Sequence, residues 1–282
     1  MHDHKAVLIT GCSKGIGYAC AHGLAKRGYR VIASARQPAD VERLAGEGLT
    51  CVRLDLDDPQ SIADAVARTL ELTDGRLYAL FNNGAYGQPG AVEDLTREAL
   101  RAQLETNLIG THDLTRRIIP IMRRQGEGRI VQNSSVLGLV ALAYRGAYVA
   151  SKFALEGLTD TLRMELRGTG IGVSLIEPGP ITSQFRENAL AMYRAHIDPE
   201  HSPHREAYRA MASRLQQGGA AQPFTLPPEA VLKRLTQALE SPRPRPRYYV
   251  TFPTHALGGL RRVLSARALD RLMSRISRGG AG

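Results

Sequence analysis

Tyr148 and Lys152 stand four residues apart in the stretch Gly146-Ala147-Tyr148-Val149-Ala150-Ser151-Lys152. On a helix that spacing puts them one turn apart on one face. A free tyrosine ionises near ~10, too high to exchange protons readily at neutral pH. A neighbouring ammonium favours the phenolate and lowers that value, which makes the hydroxyl a usable general acid or base. Ser135, thirteen residues earlier in Asn133-Ser134-Ser135, offers a hydroxyl to hold a substrate oxygen. Together the three suit proton transfer at a carbonyl or alcohol oxygen. Tyr-x-x-x-Lys alone is a weak signal, so its weight rests on what surrounds it.

The surroundings read as strands alternating with helices. Residues 5–10 (KAVLIT) form a short apolar run, the pattern of a buried strand. Residues 11–17 (GCSKGIG) interrupt it, and helical spacing resumes over 16–27. Strand, glycine turn and helix are the context in which such a turn binds a dinucleotide. Gly11, Gly15 and Gly17 let the backbone approach a pyrophosphate. Ser13, Lys14 and Ile16 lie in the same turn, where the helix start offers N–H groups and a positive dipole end. The alternative is a glycine turn without a ligand.

A second strand spans 29–35 (YRVIASA). An acid at its end would take a ribose 2′-hydroxyl. The sequence there is Ala35-Arg36-Gln37, so Arg36 and Lys14 suit a 2′-phosphate, and NADP is the expected cofactor. Both are otherwise solvated surface charges. A third strand, 50–54, ends in Asp55, which either accepts from an adenine amino group or caps a loop. A fourth, 77–81, leads to Asn82-Asn83-Gly84-Ala85, and Thr96 then caps a long helix carrying Asn107.

Residues 129–133 deliver Ser134 and Ser135, the helix over 147–167 bears Tyr148 and Lys152, and a sixth strand over 172–176 ends at Glu177-Pro178-Gly179. The alternation predicts a parallel, doubly wound α/β sheet of about seven strands. Ligands bind such sheets outside the carboxyl ends of the strands, where the glycine turn, Asn83, Ser135 and Pro178-Gly179 all fall. Regularity lapses over 182–224, where apolar and charged residues mix. Short helices over the site, a lid for a lipophilic substrate, are one reading, and ordinary surface helices are the other. Residues 241–247 (SPRPRPR) make a stiff basic connector, and 248–252 can add a last strand.

The net charge is +10 over 282 residues, and the part from Ser241 onward holds nine arginines against one acid, Asp270. The first 240 residues are therefore nearly neutral, and no nucleic-acid partner is expected beyond what the tail alone could bind. Residues 255–276 read as one basic amphipathic helix. It would lie on an anionic membrane or pack on its own domain or a second subunit. No apolar run is long enough to span a membrane. Cys12, Cys20 and Cys51 show no metal-ligand spacing, and a reduced, cytoplasmic setting without a metal is expected.

Taken together, the motifs resemble the short-chain dehydrogenase/reductase family. They are Thr10-Gly11-x-x-x-Gly15-x-Gly17, Asp55, Asn82-Asn83, Asn107, Ser135, Tyr148-x-x-x-Lys152 and Pro178-Gly179. Bacterial NADP-dependent aldehyde reductases similar to 17β-hydroxysteroid and retinol dehydrogenases are the nearest in pattern. The resemblance implies one Rossmann-type domain over 1–252, with a substrate loop about 182–226 and an extension over 253–282. It implies that Tyr148 is the acid/base and that Lys152 holds the nicotinamide ribose and lowers the tyrosine pKa. Ser135 would bind the substrate oxygen, Asn107 would order a water and the lysine, and Thr182 would contact the carboxamide. A homodimer or tetramer through long helices is implied as well. The family has Ala-Gly where this chain has Gly84-Ala85, so Ala85 is expected to be strained if its position needs positive φ. A cofactor-sensing, non-catalytic protein on the same fold is the alternative from another class.

Overall fold

Ala6–Ile9 is a run of four apolar residues, all of them buried. A strand enclosed on both faces belongs in a parallel sheet covered by helices. The computed structural model describes residues 5–216 and 224–279. Its strands are β1 (Ala6–Ile9), β2 (Arg30–Ala35), β3 (Thr50–Arg53), β4 (Ala79–Asn82), β5 (Gly128–Asn133), β6 (Ile171–Glu177) and β7 (Arg247–Tyr249). They form one sheet in the order β3-β2-β1-β4-β5-β6-β7, and every neighbouring pair is parallel. This is the doubly wound architecture expected from the alternation.

The helices between the strands are α1 (Gly15–Lys26), α2 (Pro38–Gly46), α3 (Pro59–Leu72), α4 (Arg97–Leu104), α5 (Thr111–Gln125) and α6 (Gly146–Glu165). After β6 come α7 (Phe185–His196), α8 (Arg205–Gln216) and α9 (Glu229–Glu240), and after β7 come α10 (Phe252–Val263) and α11 (Ala266–Gly279). Cys20 and Leu24 of α1 and Val231 and Leu235 of α9 bury against one face of the sheet. Ile62 of α3 and Leu114 and Ile118 of α5 bury against the other. Local signals start these helices where the sequence places them. Asp58 accepts from the Gln60 N–H at 2.9 Å with Pro59 in the first turn of α3, and Thr96 accepts from the Ala99 N–H at 3.2 Å.

Three elements differ from the sequence reading. The helix expected to carry Asn107 is regular only to Leu104, and Glu105–Gly110 is a π-helical segment that leads into α5. A Cβ at Gly110 would meet the Leu56 carbonyl oxygen at 1.8 Å, so the wider turn passes against the loop after β3. The last strand is Arg247–Tyr249, because Phe252 and Pro253 open α10. The single helix expected over 255–276 is two. Leu264 is extended at φ −84° and ψ 141°, and Ser265 restarts the chain as α11 by accepting from the Ala268 N–H.

Candidate active site

The sheet changes winding direction between β1 and β4, and the carboxyl ends there form the crevice that binds ligands in such folds. Gly11 and Gly15 take left-handed φ values of 69° and 61°. A Cβ at Gly17 would fall 2.2 Å from the Gly11 carbonyl oxygen. α1 starts here with no side-chain cap at Lys14, which leaves its first N–H groups to an anion. The Ser13 carbonyl accepts from Arg43 Nη2 at 2.6 Å, a tether to α2, and Ile16 packs onto the core. Lys14 and Arg36 are exposed at the rim. This cradle fits a dinucleotide pyrophosphate. Asp55 is half-buried and its Oδ1 accepts from the Asp57 N–H at 3.1 Å, the loop-capping role.

The exchanged Gly84-Ala85 pair carries no strain, contrary to expectation, because neither residue has a positive φ. The turn is held from β1 instead. Thr10 Oγ1 accepts from the N–H groups of Asn83 and Gly84 at 2.8 and 2.7 Å. Glycine is needed at 11 for space as well as for its φ, since a Cβ there would come within 2.8 Å of the Gly84 Cα. Asn83 Nδ2 donates to the Thr10 and Gly11 carbonyls at 2.9 and 3.2 Å, and its Oδ1 accepts from Asn133 Nδ2 at 2.9 Å. Asn83 therefore ties the glycine turn to the end of β5.

Tyr148, Ser135 and Lys152 come together as the spacing predicts. The Tyr148 ring is 8 % exposed and its hydroxyl faces Ser135, whose Oγ accepts from the Leu137 N–H at 3.0 Å. Lys152 is 3 % exposed, and its Nζ donates to the Asn133 carbonyl at 2.8 Å while lying 5.7 Å from the Tyr148 ring centroid. Burial pushes the phenol up to about 12, with the Ser135 hydroxyl opposing it. Burial likewise draws the ammonium down to about 8, opposed by Glu156. Burial thus raises the tyrosine where the neighbouring ammonium was expected to lower it, and that ammonium donates to Asn133.

Asn107 is 1 % exposed on the π-helical segment, and its side chain is fully engaged. Its Nδ2 donates to the Tyr86 carbonyl at 2.9 Å and to Ser151 Oγ at 3.1 Å, while its Oδ1 accepts from the Tyr86 N–H at 3.1 Å. The amide thus braces the segment after β4 against α6. The Pro178 carbonyl accepts from the Val136 N–H at 2.7 Å, which joins the end of β6 to the Ser135 turn. Gly179 presses on Thr251, and the exposed Thr182 donates its N–H to the Leu226 carbonyl at 3.0 Å.

The short chain dehydrogenase profile matches residues 5–194. The chain belongs to the short-chain dehydrogenase/reductase family. It is 44 % identical over 270 residues to an uncharacterised oxidoreductase of Escherichia coli, YbbO, covering 95 % of this chain and 94 % of that one. It is 36 % identical over 260 residues to human 17-beta-hydroxysteroid dehydrogenase type 1, covering 87 % and 77 %. The fold matches a Burkholderia phymatum short chain dehydrogenase/reductase in complex with NAD at a TM-score of 0.77 and 26 % identity, over 93 % of each chain. The protein is accordingly an oxidoreductase of this family.

Two further features of this short-chain dehydrogenase were not read from the sequence. Behind Lys152, Arg247 of β7 reaches Glu156 Oε2 at 2.9 Å, Asp160 Oδ2 at 2.7 Å and Glu177 Oε1 at 3.3 Å. One guanidinium thus joins α6, β6 and β7, and burial, with repulsion from Glu156, pushes the Glu177 carboxyl up to about 9. Over the site, α7 and α8 share a small core of Ala91, Tyr193, Ile197, Tyr208 and Met211. The Tyr208 hydroxyl accepts from the Ala91 N–H at 2.9 Å and donates to Asp94. Phe185 at the head of α7 meets the Tyr148 ring edge-on at 5.4 Å. The apolar pattern over 182–224 held these residues, but their partners lie some hundred positions away in sequence.

Proposed function

We propose that this enzyme transfers hydride between NADP(H) and the carbonyl or alcohol of a lipophilic aldehyde, ketone or secondary alcohol. The observation that carries the reading is the Tyr148 hydroxyl, facing Ser135 and one helical turn from the buried Lys152, beside a glycine turn that opens α1. A nicotinamide dinucleotide held at that turn supplies the hydride. Lys14, Gly15, Ile16 and Gly17 would hold its pyrophosphate side, and Pro178, Gly179 and Thr182 would face its nicotinamide side. Ser135 binds and orients the substrate oxygen. In reduction Tyr148 is the acid that gives that oxygen its proton. Phe185 and the α7–α8 lid exclude water and offer an apolar wall.

The NADP preference is supported by Arg36 and Lys14, both exposed and neither with a carboxylate within ion-pair distance among the described residues, and by Ala35 where an NAD site has an acid. The lipophilic substrate is supported by the hydroxysteroid dehydrogenase relative and by the apolar side chains of the lid. A homo-oligomer in the cytoplasm is part of the proposal. Phe153, Leu158 and Met164 of α6 and Leu100 of α4 are 36 to 66 % exposed and offer it a contact face. NADPH consumption against aldehydes, ketosteroids, retinal and small ketones, with NADH in parallel, tests the reading. Turnover with NADPH and much weaker turnover with NADH is expected. Cofactor binding without turnover of any carbonyl would favour a non-catalytic sensor.

A further inference from the structure

The outward side of α10 carries apolar residues at helical spacing. Phe252, Ala256, Gly259 and Val263 fall on one line along the helix, opposite the buried Thr254 and Gly258. Phe252 is 64 % and Val263 77 % exposed, and the Phe252 ring meets the exposed Phe224 ring at 5.1 Å. Arginines border this line. Arg262 follows it on α10 and lines an open cleft of about 260 Å³ with Arg234, Arg245, His255 and Tyr249. On α11, Met273 is buried while Arg267, Arg271 and Arg275 form an exposed row on the other side. From Arg234 to Arg275, only Arg247 has a carboxylate within ion-pair distance among the described residues.

We propose that α10 and α11 form a docking face for an anionic bilayer surface. Phe252 and Val263 enter the boundary between headgroups and acyl chains, and the arginines take lipid phosphates, the open cleft holding one headgroup. An interfacial helix needs an exposed apolar line and cations; α10 has the line, with Arg262 next to Val263, and α11 follows with an exposed arginine row. A nucleic acid would match the arginines but leave the apolar line in water. A second copy meeting this face across a two-fold axis would set arginine against arginine. The helices divide the work in a way the sequence did not suggest, since α11 supplies charge and α10 supplies apolar contact. No helix among the described residues is long and apolar enough to cross a membrane, so the contact is peripheral.

Co-sedimentation of the full chain with phosphatidylcholine vesicles, with and without phosphatidylglycerol, tests the face directly. Binding is expected only with phosphatidylglycerol, and about 0.5 M salt should release it. Replacing Arg267, Arg271 and Arg275 together by Gln should weaken binding on the order of 100-fold, at roughly fivefold per arginine. Val263→Ser should weaken it while leaving the melting temperature unchanged. Equal binding to both vesicles, no binding to either, or full binding by the triple variant overturns the proposal. So does an assembly that Val263→Asp breaks apart in sedimentation velocity without any vesicle binding, which would make the face a subunit contact.

Discussion

Under the proposed NADP reading, the choice of cofactor turns on Lys14 and Arg36. Each is exposed, so a 2′-phosphate between them gains charge-assisted hydrogen bonds without first breaking an ion pair. Such bonds contribute about 1.5–3 kcal/mol where they are well formed. Arg36→Ala should therefore raise the KM for NADPH about tenfold or more and leave that for NADH nearly unchanged, as steady-state kinetics with both cofactors would read. Equal effects on the two would place Arg36 away from the 2′ position.

Glu177 gives a test through stability. Its carboxyl is fully buried and pushed up to about 9 from an ordinary 4.5, first by burial and then by Glu156, against the pull of Arg247. Between those two pH values the native state keeps a proton that the unfolded chain releases. The stability tied to this group is full below 4.5 and is lost as pH rises through about 9. Glu177→Gln removes the titration and keeps the shape. The variant should melt higher than the parent at pH 8, by ~4 °C or more, with the gap closing at acid pH. Parallel melting curves across pH would contradict the assignment. The types at Tyr148, Lys152 and Ser135 were legible because their chemistry depends on local spacing. The contacts of Thr10, Asn133 and Arg247 were not, because their partners sit on neighbouring strands whose order the sequence does not print.

Among the elements, the α7–α8 pair has a small core of its own, apart from those on the two faces of the sheet. Tyr208 is fully buried at its centre, and its hydroxyl is shared between Asp94 and the Ala91 N–H. Tyr208→Phe strands the buried Ala91 N–H, while Asp94 keeps the Ser202 hydroxyl at 2.6 Å, at a cost of about 1–3 kcal/mol. Hydrogen exchange over α7 should speed up while β4 and β5 stay protected. Unchanged exchange in α7 would mean the lid is held elsewhere. The strands from β1 to β6 were legible because each is a short, largely apolar run closed by turn residues. The π-helical segment was not. Its wider turn answers to the Leu56 backbone, a contact far from Asn107 in sequence. The break at Leu264 was hidden for the opposite reason, since the apolar spacing runs on past Ser265, which caps the next helix.

At the scale of the molecule, one carboxyl edge of a parallel sheet gathers every residue that the proposed reaction needs. β1 gives the glycine turn, β4 Asn83, β5 the Ser135 turn, α6 Tyr148 and Lys152, and β6 Pro178-Gly179. The parallel topology does this, and a crevice at the change of winding is its consequence. Fold and reaction class were therefore legible together, while the substrate was not, because the lid core draws on residues more than a hundred positions apart. The most direct test of the account is carbonyl-dependent NADPH oxidation by the parent and by Tyr148→Phe, with NADPH binding measured on both. The account predicts a fall in kcat of about 10²–10⁴ for the variant, with its affinity for NADPH kept within a few fold. Substantial turnover by Tyr148→Phe would show that the proton comes from another group.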